Sequence, residues 1–386
     1  MTVRRGVVAA GVVIALGLSG VVFTHSPKAV SADEIVAKCK EDPQGSATCY
    51  EKEIPKLYPA QSIPHIIKLV HEVRAKDPSY QFCHVLAHKL GEAVVAEDPA
   101  EWLKAFPLNP TDGLCSNGFI HGIIVGRFRD DVLDEESLEK TIPDFQRACE
   151  PREDWQPSSL DQAICYHGLG HLFMFITNAD ISKSLAVCDR VSVSATGNFE
   201  RVCREGVFMQ IYQPLEPDDF ALLELLPEKP TLGNYRRLCS KYDDLDEGAC
   251  LREAWPLYGR DVMTGVKVQE FCSGQPNEAE TRACYESASA IIGRMSLGMT
   301  NNKGESCSYF PERYKHICFV TTAQAAIEED RTAVKDAIRL CNNAGSASSQ
   351  CLKEIAGRAS FFFPRGSPQY AQFCGQFPAE IQTVCL

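Results

Sequence analysis

Five histidines sit at spacings that suit metal chemistry. His84 and His88 follow Cys83 in Cys-His-Val-Leu-Ala-His, His121 follows Cys115 in Cys-Ser-Asn-Gly-Phe-Ile-His, and His167 and His171 follow Cys165 in Cys-Tyr-His-Gly-Leu-Gly-His. The whole chain has nine histidines, so more than half of them gather just after three cysteines. Residues four apart lie on one face of a helix, one turn from each other. A neutral imidazole offers one lone pair, the donor that Zn, Cu or Fe accepts. Counted from the preceding cysteine, His121 and His171 share a column that Met209 extends after Cys203. Asn117, His167 and Glu205 share the column one turn earlier, and His84 and His88 are offset by one residue. Gly118, Gly168, Gly170 and Gly206 keep the facing surface small, so that helices or a ligand approach closely. Glu92, four residues beyond His88, and Glu205, in the histidine column, are candidate carboxylate ligands or general bases. The bland alternative is a buried polar seam in which the same histidines are hydrogen-bonded and hold nothing.

The cysteines show what must position these side chains. Cys250, Cys284, Cys318, Cys351 and Cys385 recur at intervals of 34, 34, 33 and 34 residues, and each has a companion 10 to 12 residues upstream: Cys239, Cys272, Cys307, Cys341 and Cys374. A fixed period of that size marks a stacked repeat of one supersecondary unit. Pro-free, Ala-rich segments such as Cys284–Met299 read as helix, and Asn342-Asn343-Ala344-Gly345 between paired cysteines reads as turn. Each unit is therefore expected to be a helix-turn-helix, stapled where one helix ends and the next begins. The later cysteine of one pair precedes the earlier one of the next by 22 or 23 residues in most units. The longer intervals from Cys115 to Cys149 and from Cys203 to Cys239 predict insertions around 127–140 and 213–229. Expected local bridges are Cys39–Cys49, Cys149–Cys165, Cys188–Cys203, Cys239–Cys250, Cys272–Cys284, Cys307–Cys318, Cys341–Cys351 and Cys374–Cys385. Cys83 and Cys115 lack local partners. A bridge between them is the simplest account, and two thiolates on a metal the alternative.

This pattern resembles, in architecture, the TPR and Sel1-like αα-repeat class, especially its secreted cysteine-rich members. The resemblance implies an all-α fold, a curved stack of disulfide-stapled helix pairs of about 34 residues, with a concave face. It implies no functional residue.

Compartment and partners follow from the ends and the charge. Arg4 and Arg5 precede an apolar run over 6–23, and Val30-Ser31-Ala32 offers small residues ahead of Asp33. That order is expected of a signal peptide or membrane anchor spanning 1–32, with membrane contact only through 6–23 if it is uncleaved. Eighteen cysteines, an even number, suit an exported chain in an oxidising, periplasmic or extracellular compartment. A formal charge of −12 without a basic block argues against a nucleic-acid partner. His-Glu-x-x-His, P-loop, dinucleotide, Gly-x-Ser-x-Gly and Cys-x-x-Cys motifs are absent from the sequence.

The expected organisation is a histidine-bearing set of repeats over 33–212 and a scaffold over 213–386. The first reading of function is an exported metal-binding repeat protein. Its divalent transition metal (Zn, Cu or Fe) would be held by His84, His88, His121, His167 and His171, with Glu92 and Glu205 as catalytic candidates for hydrolysis or Cu/Fe oxidation. The second is a non-enzymatic scaffold that binds a peptide, small molecule or cell-envelope component on its concave face.

Overall fold

The computed structural model describes residues 30–80, 82–129, 133–263, 265–273, 278–295 and 304–385. The apolar run 6–23 lies outside the described residues, as do Gly274–Pro276, turn-like residues between Cys272 and Cys284, and Ser296–Met299 at the end of one expected helix. The described chain is helical, with two isolated bridges, Arg152 with Trp155 and Val193 with Asn198, and no strand. Its helices are α1 (Ala32–Cys39), α2 (Ser46–Glu53), α3 (Ile63–Lys76), α4 (His84–Glu97), α5 (Gly118–Phe128), α6 (Glu135–Ala148), α7 (Ser159–Ile176), α8 (Ile181–Val191), α9 (Glu200–Tyr212), α10 (Pro217–Leu223), α11 (Tyr235–Cys239) and α12 (Asp244–Glu253). Beyond them run α13 (Trp255–Met263), α14 (Gly265–Ser273), α15 (Glu278–Met295), α16 (Glu305–Ser308), α17 (Glu312–Glu329), α18 (Val334–Asn342), α19 (Ser348–Gly357), α20 (Ala359–Phe362), α21 (Pro368–Cys374) and α22 (Ala379–Gln382).

All eighteen cysteines are bridged. The eight local pairs form as their spacing predicts, and Cys83 joins Cys115, which removes the thiolate alternative for these two. Each local bridge closes a loop of 10 to 16 residues, a constraint worth about 2–3 kcal/mol in the chain-entropy model. The later cysteine of a pair does not always open its helix. Cys165, Cys250, Cys284 and Cys318 each lie more than a turn inside α7, α12, α15 and α17. Upstream caps explain two of these early starts. The Ser158 side chain accepts the Asp161 N–H in a capping box, and Asp243 accepts the Asp246 N–H.

The helices that carry or directly follow the later cysteines pack in succession: α4 on α5, α5 on α7, α7 on α9, α9 on α12, and further on α15 on α17 and α17 on α19. Their buried apolar residues form two cores. One runs from Ala32 to Ala254; the other runs from Val268 to Cys385 and takes in Leu160 of α7. Ser31 caps α1 through the Glu34 N–H, and Ala32 is buried, so the small-residue stretch ahead of Asp33 is part of the described fold. No helix among the described residues is long and apolar enough to cross a membrane.

Candidate metal centre

Two packed interfaces, α4 on α5 and α5 on α7, bring all five histidines together. The rings of His84 and His88 are 4.7 Å apart, and those of His167 and His171 are 4.9 Å apart. His121 lies between the two pairs, 5.2 and 5.3 Å from the first and 5.7 and 5.5 Å from the second. Glycine makes this closeness possible. A Cβ on Gly168 would stand 2.6 Å from Cδ2 of His121, and one on Gly118 would stand 3.0 Å from Nδ1 of His84. Donor atoms of His84, His88 and His121 all lie within 4.8 Å of one another, a set that can hold a metal ion.

Four of the five imidazoles, His84, His88, His121 and His171, are held through one nitrogen. Nδ1 of His84 is 3.2 Å from the Cys115 carbonyl, and Nε2 of His121 is 3.0 Å from the Ile164 carbonyl. A carbonyl only accepts, so the proton sits on the nitrogen facing it and the other nitrogen keeps its lone pair. Nδ1 of His171 is 2.7 Å from Oε1 of Gln210, and the amide of Gln210 donates to Asp219 at 2.6 Å, which orients the oxygen toward the ring. Nδ1 of His88 faces Oε1 of Glu216 at 3.4 Å. Nε2 of His88, Nδ1 of His121 and Nε2 of His171 are buried and have no hydrogen-bond partner. Fixing one nitrogen on a carbonyl or carboxylate while the other points inward is how proteins orient histidine ligands.

Burial also sets the charge. It pushes the pKa of His84 down to about 3, with His88 adding to the effect, and that of His171 down to about 4 against the pull of Gln210. Burial and the four neighbouring imidazoles hold His121 well below the usual histidine range. These three rings are neutral at neutral pH, the form that binds metal.

The turn before α5 supplies the carbonyl for His84. Cys115, Ser116 and Asn117 all adopt positive φ (59°, 52° and 54°), which is unfavourable for residues with a side chain. The Cys83–Cys115 bridge ties this turn to the start of α4.

A cavity of about 30 Å³ opens beside the rings, lined by His84, His88 and His171 and, across from them, by Met209, Gln210, Gln213, Glu216 and Asp219. Glu216 is the N-cap of α10 and Asp219 lies in its first turn, and α10 falls within the insertion expected at 213–229. Burial opposes ionisation of Glu216, but His88 and Lys89, the latter 3.1 Å away, together hold its pKa at about 2. Glu216, Gln210 and Asp219 did not stand out from the cysteine register. The usable signal was Glu216-Pro217 with Asp219 three residues later, a helix-start pattern inside the insertion. Glu92 is 3.2 Å from Arg129, and burial raises its pKa while Arg129 opposes the rise. Glu205 is buried between Arg252 at 2.9 Å and Arg201 at 3.3 Å.

No protein-family model, curated protein or solved structure matches the chain.

Proposed function

We propose that the protein is an exported, disulfide-stapled α-repeat protein that binds a divalent transition metal through His84, His88 and His121, with His171 and His167 adjoining. One observation carries the reading. Imidazoles from α4, α5 and α7 converge, and Nε2 of His88, Nδ1 of His121 and Nε2 of His171 are buried there without a hydrogen-bond partner. An unpaired buried acceptor costs about 1–3 kcal/mol, and a bound cation recovers it. The nine bridges support an oxidising compartment, where a histidine site persists without thiolates. The succession of packed later-cysteine helices supports the stacked-repeat arrangement, with α10 laid over one end of the histidine seam.

Any chemistry at the ion would draw its base from nearby carboxylates. Glu216 faces the cavity directly, whereas Glu92 and Glu205 act only if their arginine partners release them. Metal analysis of protein purified without a histidine tag tests the proposal. Stoichiometric metal is expected, to be lost in His84→Ala/His121→Ala with the helical signal and disulfide map unchanged. Metal retained by that double variant would reject the site. Metal-free wild type after challenge with Zn(II), Cu(II) and Fe(II) would favour the scaffold reading.

A further inference from the structure

Met209 brings a thioether to the rim of the histidine seam. Its Sδ lies 3.1 Å from Nε2 of His167. Nδ1 of that ring is 3.1 Å from the Val202 carbonyl, which can only accept, so the ring proton sits on Nδ1 and Nε2 turns a lone pair toward the sulfur. A thioether is itself a weak acceptor. Two electron-pair donors therefore face one another, an arrangement suited to sharing a cation. One turn along α7, Nε2 of His171 is buried without a partner, and that residue is only 9% exposed. Met209 is half-buried, so the locus has a side open to exchange. Donor softness decides which ion fits. Thioether ligands select Cu(I), whereas Zn(II) is satisfied by imidazole alone. All eighteen cysteines are in bridges, so the soft donor here is Met209 rather than a thiolate.

We infer that His167, His171 and Met209 form a second, softer locus beside the His84/His88/His121 set, and that its ion is monovalent copper. The inference rests on the metal-binding reading above. Full-length protein is loaded with Cu(I) under argon in ascorbate, a reductant that leaves disulfides intact, and its affinity is measured against a Cu(I) chelator. Zn(II) affinity is measured in parallel. Met209→Leu should lower Cu(I) affinity at least tenfold and leave Zn(II) affinity within about twofold, because the all-imidazole set is untouched. His167→Gln should likewise lower Cu(I) affinity at least tenfold. Copper absorption spectra should show a sulfur neighbour in wild type that Met209→Leu lacks. Equal Cu(I) affinity in wild type and Met209→Leu, with Zn(II) still bound, would overturn the soft locus and leave the proposed function standing. Wild type that holds neither ion would overturn both.

Discussion

At the scale of single residues, the site depends on which nitrogen of each ring carries the proton. Gln210 sets this for His171, and Asp219 sets the orientation of Gln210. Gln210→Leu keeps the volume and removes that control, so metal affinity should fall by about 10–100-fold, the usual effect of losing a hydrogen bond behind a histidine ligand. Competition with a chelator measures it; unchanged affinity would remove Gln210 from the site. The same burial gives the metal-free protein an acid-sensitive fold. The unfolded chain takes up protons near the ordinary histidine pKa of 6.5, while the folded values are about 3 for His84, about 4 for His171, and well depressed for His121. The unfolded state thus binds more protons as pH falls from about 6.5 to about 4, and stability drops through that window by about 1.4 kcal/mol per pH unit for each ring. Denaturant midpoints of chelator-treated protein should shift by the equivalent of up to three such groups. A flat profile over the window would mean the rings are not buried neutral. The histidines were legible in the sequence because the cysteines supplied their helical register. Glu216, Gln210 and Asp219 were not, because their pairing crosses from one helix to another and the insertion holds no cysteine.

At the scale of elements, the cysteine spacing carried the bridges, since a local pair in each unit leaves little choice of partner. It did not carry helix starts, which Ser158 and Asp243 set by capping several residues upstream. Nor did it show how tightly the helices approach. A Cβ on Gly206 would press into the His167 backbone carbonyl, so α7 and α9 pack nearly backbone to backbone. Gly248 on α12 is the contrast, with nothing within 4 Å of the same added atom. Gly206→Ala should destabilise by about 1–3 kcal/mol through overpacking. Gly248→Ala should stabilise by up to about 1 kcal/mol through helix propensity. Urea unfolding of the two variants checks both signs, and equal shifts would show that the α7–α9 contact is looser than described.

At the scale of the whole molecule, helices far apart in the sequence are tied to one another. Arg331, just beyond α17, is buried against residues of the N-terminal half. Its side chain pairs with Asp161 of α7 and reaches the Thr111 carbonyl, and its backbone N–H donates to Asp112 at 2.8 Å. Ser116 donates to Glu329 beside it. These contacts join segments more than 160 residues apart, and no periodicity in the sequence announces them. The Ser116 contact lands on the turn whose positive-φ residues present the Cys115 carbonyl to His84, and Thr111 and Asp112 lie just ahead of that turn. The C-terminal segment around Arg331, which contributes none of the five clustered histidines, therefore braces the helices that carry them. Removing one member of a buried ion pair strands the other, at about 3–5 kcal/mol. Arg331→Met should cost that much because the enclosed Asp161 carboxyl loses its partner. Asp161→Asn combined with Arg331→Met should cost less than Arg331→Met alone, since no charge is then stranded and an acceptor for the Ser158 cap remains. Both variants should also weaken metal retention, because the turn loses its brace and His84 its fixed carbonyl. Urea unfolding and chelator competition on the single and double variants test the argument together. If Arg331→Met lowered stability by less than about 1 kcal/mol, or left metal retention untouched despite a large loss, the C-terminal segment would not be bracing the site.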